Sequence, residues 1–279
     1  MISRLAGAVL RAIFVVLLIA TPTLLLPAQS PDTAQIVTLV ALFAGGLVLF
    51  EYASAYPSLI EFRDAPPFNR VRFFSLFATV FLLTILLRGR TDPTTLTQFV
   101  AAVGGLIGYA IDFPYSPVRL VLTMFPEGTD GESLTLVRTA TGISYLISLI
   151  SLSIFAIMLR LQGWPLRGRS FNVWINLPTF DPTAGGDVVQ RLIRDARFNI
   201  FLGFVLPFLT PLAVKSATVL FEPLSDYSSQ TLIWTVAAWA FLPASLFMRG
   251  IAMGRIADMI HEQRRQSYEL AVANGLAPA

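Results

Sequence analysis

The chain contains no cysteine, one histidine (His261) and one lysine (Lys215). Without thiols there are no disulfides, iron–sulfur clusters, thiolate metal sites or cysteine nucleophiles. A single histidine excludes a bis-histidine haem or a multi-histidine metal centre within one chain, although carboxylate sites stay open. Charge is also scarce. Only 13% of the 279 residues are Asp, Glu, Lys or Arg, whereas soluble domains carry about 25%. So few charges cannot cover a water-facing surface. The shortage excludes an ordinary cytosolic enzyme, a disordered regulator and a nucleic-acid-binding module.

Catalytic signatures are missing as well. There is no Gly-x-Ser-x-Gly elbow, no His-Glu-x-x-His pair and no phosphate-cradling glycine loop ending in Lys. Two aspartates in separate spans, as an intramembrane aspartyl protease needs, are not found. A carbonyl-lined potassium filter would need a Thr-Val-Gly-Tyr-Gly-like run, which is absent. No acidic residue precedes Lys215 by four, and another apolar segment follows it, which argues against a retinal Schiff base. The sequence therefore implies no enzyme, no cofactor and no metal site.

Apolar sequence is abundant: 55% of residues are hydrophobic, 22 of them Phe, and the mean hydropathy is +0.69. Crossing the hydrocarbon takes about 20 helical residues. Runs of that order lie at Leu5–Leu26, Ala34–Ala55, Val71–Leu87, Val137–Leu161, Phe198–Phe221 and Leu232–Met248. A further stretch, Leu96–Ile111, meets a polar break at Asp112-Phe-Pro-Tyr-Ser-Pro117, followed by a shorter limb at Val118–Phe125. The first run, with Arg4, Arg11 and the following Pro27-Ala-Gln-Ser30, has features of a signal peptide. It is longer than a usual signal core, and a second run follows at once, so a retained helix is expected.

Arginine placement sets the expected orientation, because Lys and Arg stay on the cytoplasmic side. The net charge of +3 comes from 19 Arg and one Lys, a bias that suggests a GC-rich bacterial genome. Arginines cluster at Arg4/Arg11, Arg63–Arg72, Arg160–Arg197 and Arg249–Arg265. Acidic connections hold Asp32, Glu127–Glu132, and Glu222 with Asp226. Both termini are then cytoplasmic, in a bacterial inner membrane. If Leu96–Ile111 were one full span, the arginine-rich segment 162–197 would be forced outside. The expected fold is therefore all-α and polytopic, with six full spans plus a re-entrant hairpin over 96–125. A second crossing by a short helix, or a plain seven-span protein, is the alternative. The transmembrane domain is expected over 1–249, with a cytoplasmic tail over 250–279 that continues beyond Arg249 as a polar helix.

Within the loop 162–197, Trp164, Phe171 and Trp174 suit a membrane interface. Asp187 is a candidate N-cap, and Val188, Val189, Leu192 and Ile193 recur at helical spacing. With Arg191, Arg194 and Arg197 off that stripe, 187–197 reads as an amphipathic helix lying on the leaflet. Arg63-Asp-Ala-Pro-Pro-Phe-Asn69 and Arg194-Asp-Ala-Arg-Phe-Asn199 resemble each other, a weak sign of duplication that a recurrent membrane-entry pattern explains equally well.

Two residues are candidates for function inside the membrane. Lys215 follows Pro207 and Pro211, which free backbone carbonyls; an intramembrane cation is a functional candidate, although snorkelling to the headgroups explains it too. Asp112 would sit at the hairpin tip, after Gly104, Gly105 and Gly108, or else be a turn cap near the surface. Two functions follow. One is a non-enzymatic accessory, assembly or scaffolding subunit of a membrane complex, whose partners are the bilayer and other subunits or itself, not nucleic acid. The other is a small transporter or channel working through the hairpin, Asp112 and Lys215.

Overall fold

The computed structural model describes residues 2–27, 30–164, 172–181, 183, 185–218 and 228–275. Among these every regular element is helical. In chain order they are α1 (Ile2–Leu25), α2 (Pro31–Ala53), α3 (Phe68–Arg88), α4 (Thr95–Ile111), α5 (Pro117–Leu122), α6 (Gly131–Gln162), α7 (Val173–Asn176), α8 (Val188–Thr218) and α9 (Ser229–Ala273). Six of them, α1, α2, α3, α6, α8 and α9, are long and apolar enough to cross a membrane. Each overlaps one of the six runs in the sequence, with α8 starting ten residues earlier and α9 ending well beyond Met248; the end of the run Phe198–Phe221 lies outside the described residues. At 17 residues, α4 is about 25 Å long, short of the ~30 Å hydrocarbon thickness.

Local chemistry sets the boundaries. Ser30 caps α2 by accepting from the Thr33 amide, with Pro31 in the first turn. Asp130 caps α6 through the Ser133 amide at 2.7 Å, and Ser228 caps α9 through Thr231. Thr94 and Thr97 form a reciprocal box at the start of α4. Each cap satisfies amides that would otherwise lack partners in the first turn.

Helices α3 and α6 run antiparallel. Phe68 meets Phe155 at 5.8 Å, Ser75 and Ser151 share a hydrogen bond of 2.8 Å, and Arg90 reaches Glu132 at 3.4 Å. The last contact joins the exit of α3 to the entry of α6. Residues 91–131, which hold α4 and α5, thus start and finish at one end of this pair. Antiparallel α8 packs along α9: a Cβ on Gly203 would stand 2.6 Å from the Pro243 carbonyl, and one on Gly250 2.6 Å from the Ala196 carbonyl.

One end of the bundle gathers the start of α1, the close of α2, residues 54–67 and the start of α3. It also takes in the close of α6, the first turns of α8 and α9 beyond Met248. Its core holds Phe62, Phe68, Phe155, Trp164, Leu192 and Ile256. A second core, built from Val80, Leu83, Leu86, Ile143, Ile233 and Val236, lies toward the other end. Small hydroxyl side chains line the helix contacts between and within these cores. Ser148 donates to the Ala240 carbonyl at 3.0 Å, and Thr79, Thr84, Thr141 and Ser144 bond the carbonyl four residues back. Small polar residues let helices approach closely in lipid and leave no polar atom bare.

Two expectations change and one is extended. The segment expected to lie on the membrane at 187–197 is the first part of α8, which continues without a break into the span. Its stripe is occupied by protein: Val189, Leu192 and Ala196 are buried in the core with Met248 and Ile256. An apolar stripe on a basic helix fits a leaflet or a neighbouring helix equally, and here α9 supplies the neighbour. The tail beyond Arg249 does continue as helix, as α9, and its first turns are not purely polar, since Ala252, Met253, Ile256 and Ala257 are buried. Finally, the two Arg-Asp-Ala segments fold differently. The first leaves a loop through Pro66 and Pro67 to begin α3, while the second lies wholly inside α8.

Candidate functional site

Asp112 closes α4. Its carboxylate is only 3% exposed and lies between Arg119 Nε, at 2.6 Å, and Arg138 Nε, at 2.8 Å. Neither Asp112 Oδ1 nor Arg138 Nε is in an aligned hydrogen bond, so the attraction is mainly Coulombic. Arg119 Nη2 also donates to the Asp112 carbonyl at 3.3 Å. One carboxylate therefore ties the end of α4 to α5 and α6. The chain can turn here because Tyr115 takes a left-handed backbone, with φ of 65°, and Ser116 caps α5. Beside the bend, α4 and α6 touch backbone to backbone, since a Cβ on Gly142 would stand 2.5 Å from Gly108 Cα. Neither arginine partner was singled out in the sequence; they lie 7 and 26 residues downstream of Asp112.

Lys215 lies in the last turn of α8 and is exposed. The carbonyl freed by Pro211, that of Pro207, is occupied: Trp239 Nε1 donates to it at 3.2 Å. The proline kink is thus used to dock α9 on α8. The expectation that Pro207 and Pro211 leave carbonyls open for a ligand is corrected at this carbonyl.

The densest polar arrangement was missed in the sequence. Arg249 on α9 grips Glu61 with two bonds, Nε to Oε2 at 2.6 Å and Nη2 to Oε1 at 2.8 Å. Arg249 Nη1 also donates to Asn199 Oδ1 on α8 at 3.1 Å. Thr179 donates to Glu61 Oε1 at 2.7 Å, and Asn69 at the start of α3 donates to the Glu61 carbonyl at 2.7 Å. Alongside, the buried Arg63 donates to the carbonyls of Glu51 and Ser54 and pairs with Asp64 at 3.2 Å. The Glu51 carboxylate accepts from the amides of Ser58, Leu59 and Ile60 and from the Ser58 hydroxyl. Asn176 in α7 receives the amides of Phe62 and Asp64. Together these bonds pin the segment 54–67 across the end of the bundle. The one sequence signal for this plate was Asn69 and Asn199 in the two similar motifs, and both do converge on Glu61 and its partner Arg249.

The residues expected at a lipid interface are dispersed. Trp164 is 6% exposed and packs on Phe62 at 5.8 Å, inside protein. Trp174 lies in α7. Arg191 stacks over Phe180 at 4.8 Å, Arg194 pairs with the adjacent Asp195 at 3.3 Å, and Arg197 is exposed. Arg167, Arg169, Phe171, Glu222 and Asp226 lie outside the described residues. Asp187, just before α8, is paired with Arg264 on α9 at 2.6 Å. The Arg264 hydrogen bond holds its carboxyl below the usual carboxylate range.

Charge is distributed unevenly between the two ends. Arg88, Arg90, Arg119 and Arg138, toward the end where α3 exits and α6 begins, each face a carboxylate. At the other end, Arg4, Arg11, Arg70, Arg160, Arg197 and Arg255 have no carboxylate within ion-pair distance among the described residues. No three His, Asp or Glu side chains among the described residues gather as a metal site. No family model matches the chain, and no curated protein or solved structure matches it.

Proposed function

We propose that this protein is a non-enzymatic accessory, assembly or scaffolding subunit of a bacterial inner-membrane complex. In this reading the end rich in unpaired arginines is cytoplasmic and carries both termini. The charge asymmetry supports that orientation, since the arginines assigned outside are neutralised locally. The Arg90–Glu132 contact supports a re-entrant path for α4 and α5, which would enter and leave on the outer side, clasped by Asp112.

The observation that carries the subunit reading is the position of α2. It packs chiefly on α1, and only 11% of its apolar window is buried, against 44% for α3. Leu39, Leu42, Phe43 and Phe50 are exposed. Gly46 lies among them with nothing within 4 Å of the place a Cβ would occupy. A glycine on an open apolar face is how membrane helices admit a neighbouring backbone. The transporter alternative needs Asp112 or Lys215 on a wet path, yet Asp112 is engaged by two arginines. A groove of about 340 Å³, between α1 and α3, is lined by Phe and Leu with Thr21 and touches neither residue.

The test is Gly46→Leu in cells, followed by sizing in mild detergent. The Cβ of the new side chain meets no atom of its own fold within 4 Å, and the substitution raises helix propensity. The expected result is an intact chain that leaves a larger assembly. A chain that runs alone as wild type, or an assembly indifferent to Gly46→Leu, would overturn the proposal.

A further inference from the structure

The groove between α1 and α3 has a specific composition and length. Phe73, Phe77 and Phe81 form one wall, with successive rings 6.1 Å apart and nearly parallel, at 15° and 13°. Phe14 stands 5.9 Å from Phe73, and Leu17 and Thr21 continue the opposite wall. The one hydroxyl, on Thr21, donates to the Leu17 carbonyl at 2.7 Å. The groove therefore offers a hydrophilic ligand nothing. From Phe14 to Leu25 it follows 11 helical steps, about 16 Å at 1.5 Å per residue. That is close to half of the ~30 Å hydrocarbon thickness, the depth of one leaflet.

Two cations stand at its mouth. Arg11 is three residues before Phe14 on α1, and Arg70 is three before Phe73 on α3. By spacing each lies about one turn from the groove toward the arginine-rich end. Arg11 stacks over Tyr52 at 4.5 Å and donates to the Gly7 carbonyl at 2.7 Å, so its guanidinium turns away from the apolar interior. Arg70 is exposed on the first turn of α3. Neither meets a carboxylate among the described residues, whereas Arg63 and Arg249, at the same end, do.

We infer that this groove is a specific site for an anionic phospholipid. One acyl chain lies along the Phe73–Phe77–Phe81 wall, and the headgroup phosphate meets Arg11 and Arg70. Apolar length supplies the chain site, and two guanidinium groups that meet no carboxylate among the described residues, Arg70 open and Arg11 held by Tyr52 and Gly7, supply the charge complement for a phosphate. The inference is independent of the subunit reading, because the groove is lined by α1 and α3 and does not include the Gly46 face of α2.

The test uses the full chain, purified in neutral detergent. Phosphatidylglycerol and phosphatidylcholine with identical acyl chains are titrated by native mass spectrometry. The first phosphatidylglycerol is expected to bind more tightly than the first phosphatidylcholine. At about fivefold per arginine, Arg70→Gln alone loses roughly fivefold and Arg11→Gln with Arg70→Gln roughly thirtyfold, with phosphatidylcholine, whose choline offsets its phosphate, losing less. Leu17→Trp, which places an indole in the groove, removes the tight phosphatidylglycerol while leaving the arginines in place. Equal affinity for the two lipids in the wild type overturns the site as a general lipid annulus. Tight phosphatidylglycerol retained by Leu17→Trp, or a preference unchanged by Arg70→Gln, overturns it as a site elsewhere.

Discussion

Glu61→Gln is the perturbation that examines the arginine-rich end most directly. Two charge-assisted bonds join Glu61 to Arg249, at 2.6 and 2.8 Å, and the side chains are 12% and 26% exposed. Hydrogen bonds to charged groups contribute about 1.5–3 kcal/mol each. Two of them give a gross figure of roughly 3–6 kcal/mol, and partial exposure of Arg249 reduces it, so a loss of about 2–4 kcal/mol is expected. Most of that loss is the guanidinium left half-buried beside Asn199. Arg249→Gln should cost a similar amount for the converse reason, an unpaired carboxylate. The double variant leaves two neutral amides and no stranded charge. It should therefore be less destabilised than the sum of the singles, with a coupling of about 1.5–3 kcal/mol. Thermal unfolding in detergent measures each corner of the cycle, at roughly 2–4 °C per kcal/mol for a chain of this size. Additivity within about 0.5 kcal/mol would refute the claim that this pair fastens residues 54–67 to α8 and α9.

The other predictions concern the opposite end, the membrane path and the tail. Asp112→Asn strands Arg119 and Arg138 as neighbouring cations and should cost about 2–3 kcal/mol; an unchanged melting temperature would show that the clasp is incidental. Lys215→Met should be silent or slightly stabilising in thermal unfolding, since the side chain is exposed near a helix end; loss of assembly or transport without unfolding would return Lys215 to the candidate list. Reporter fusions after Gly131 and Gly185 should report the periplasm and the cytoplasm respectively, and a periplasmic signal at Gly185 would defeat the re-entrant path. The Asp187–Arg264 tether has a defined pH sign. A carboxyl whose folded value is depressed stabilises above its unfolded value, near pH 4, and its contribution fades as pH falls through the folded value. Amide protection factors around Arg264, corrected for the intrinsic pH dependence of exchange, should therefore fall below about pH 4 and stay flat between pH 5 and 7.

The sequence by itself determined the elements. The six long helices match six apolar runs because the helix-forming, lipid-soluble stretch is a local property, and the break at 112–117 is legible because proline and aspartate are local signals. Arginine clustering marked one end of the bundle for the same reason. The tertiary structure decided which apolar surface meets protein and which stays exposed. Hydropathy scores both alike, so Trp164 and the Val189–Leu192 stripe read as interfacial but are core. It also decided how the polar groups are paired. Glu61 and Arg249 are 188 residues apart, and Asp112 and Arg138 lie on different helices. The carbonyl that Pro211 frees looked like an open ligand group until Trp239, 32 residues from Pro207, was placed against it. Charge pairing and helix packing act through space, and in a chain of near-uniform apolar helices only the packed arrangement specifies which helices meet and at what register.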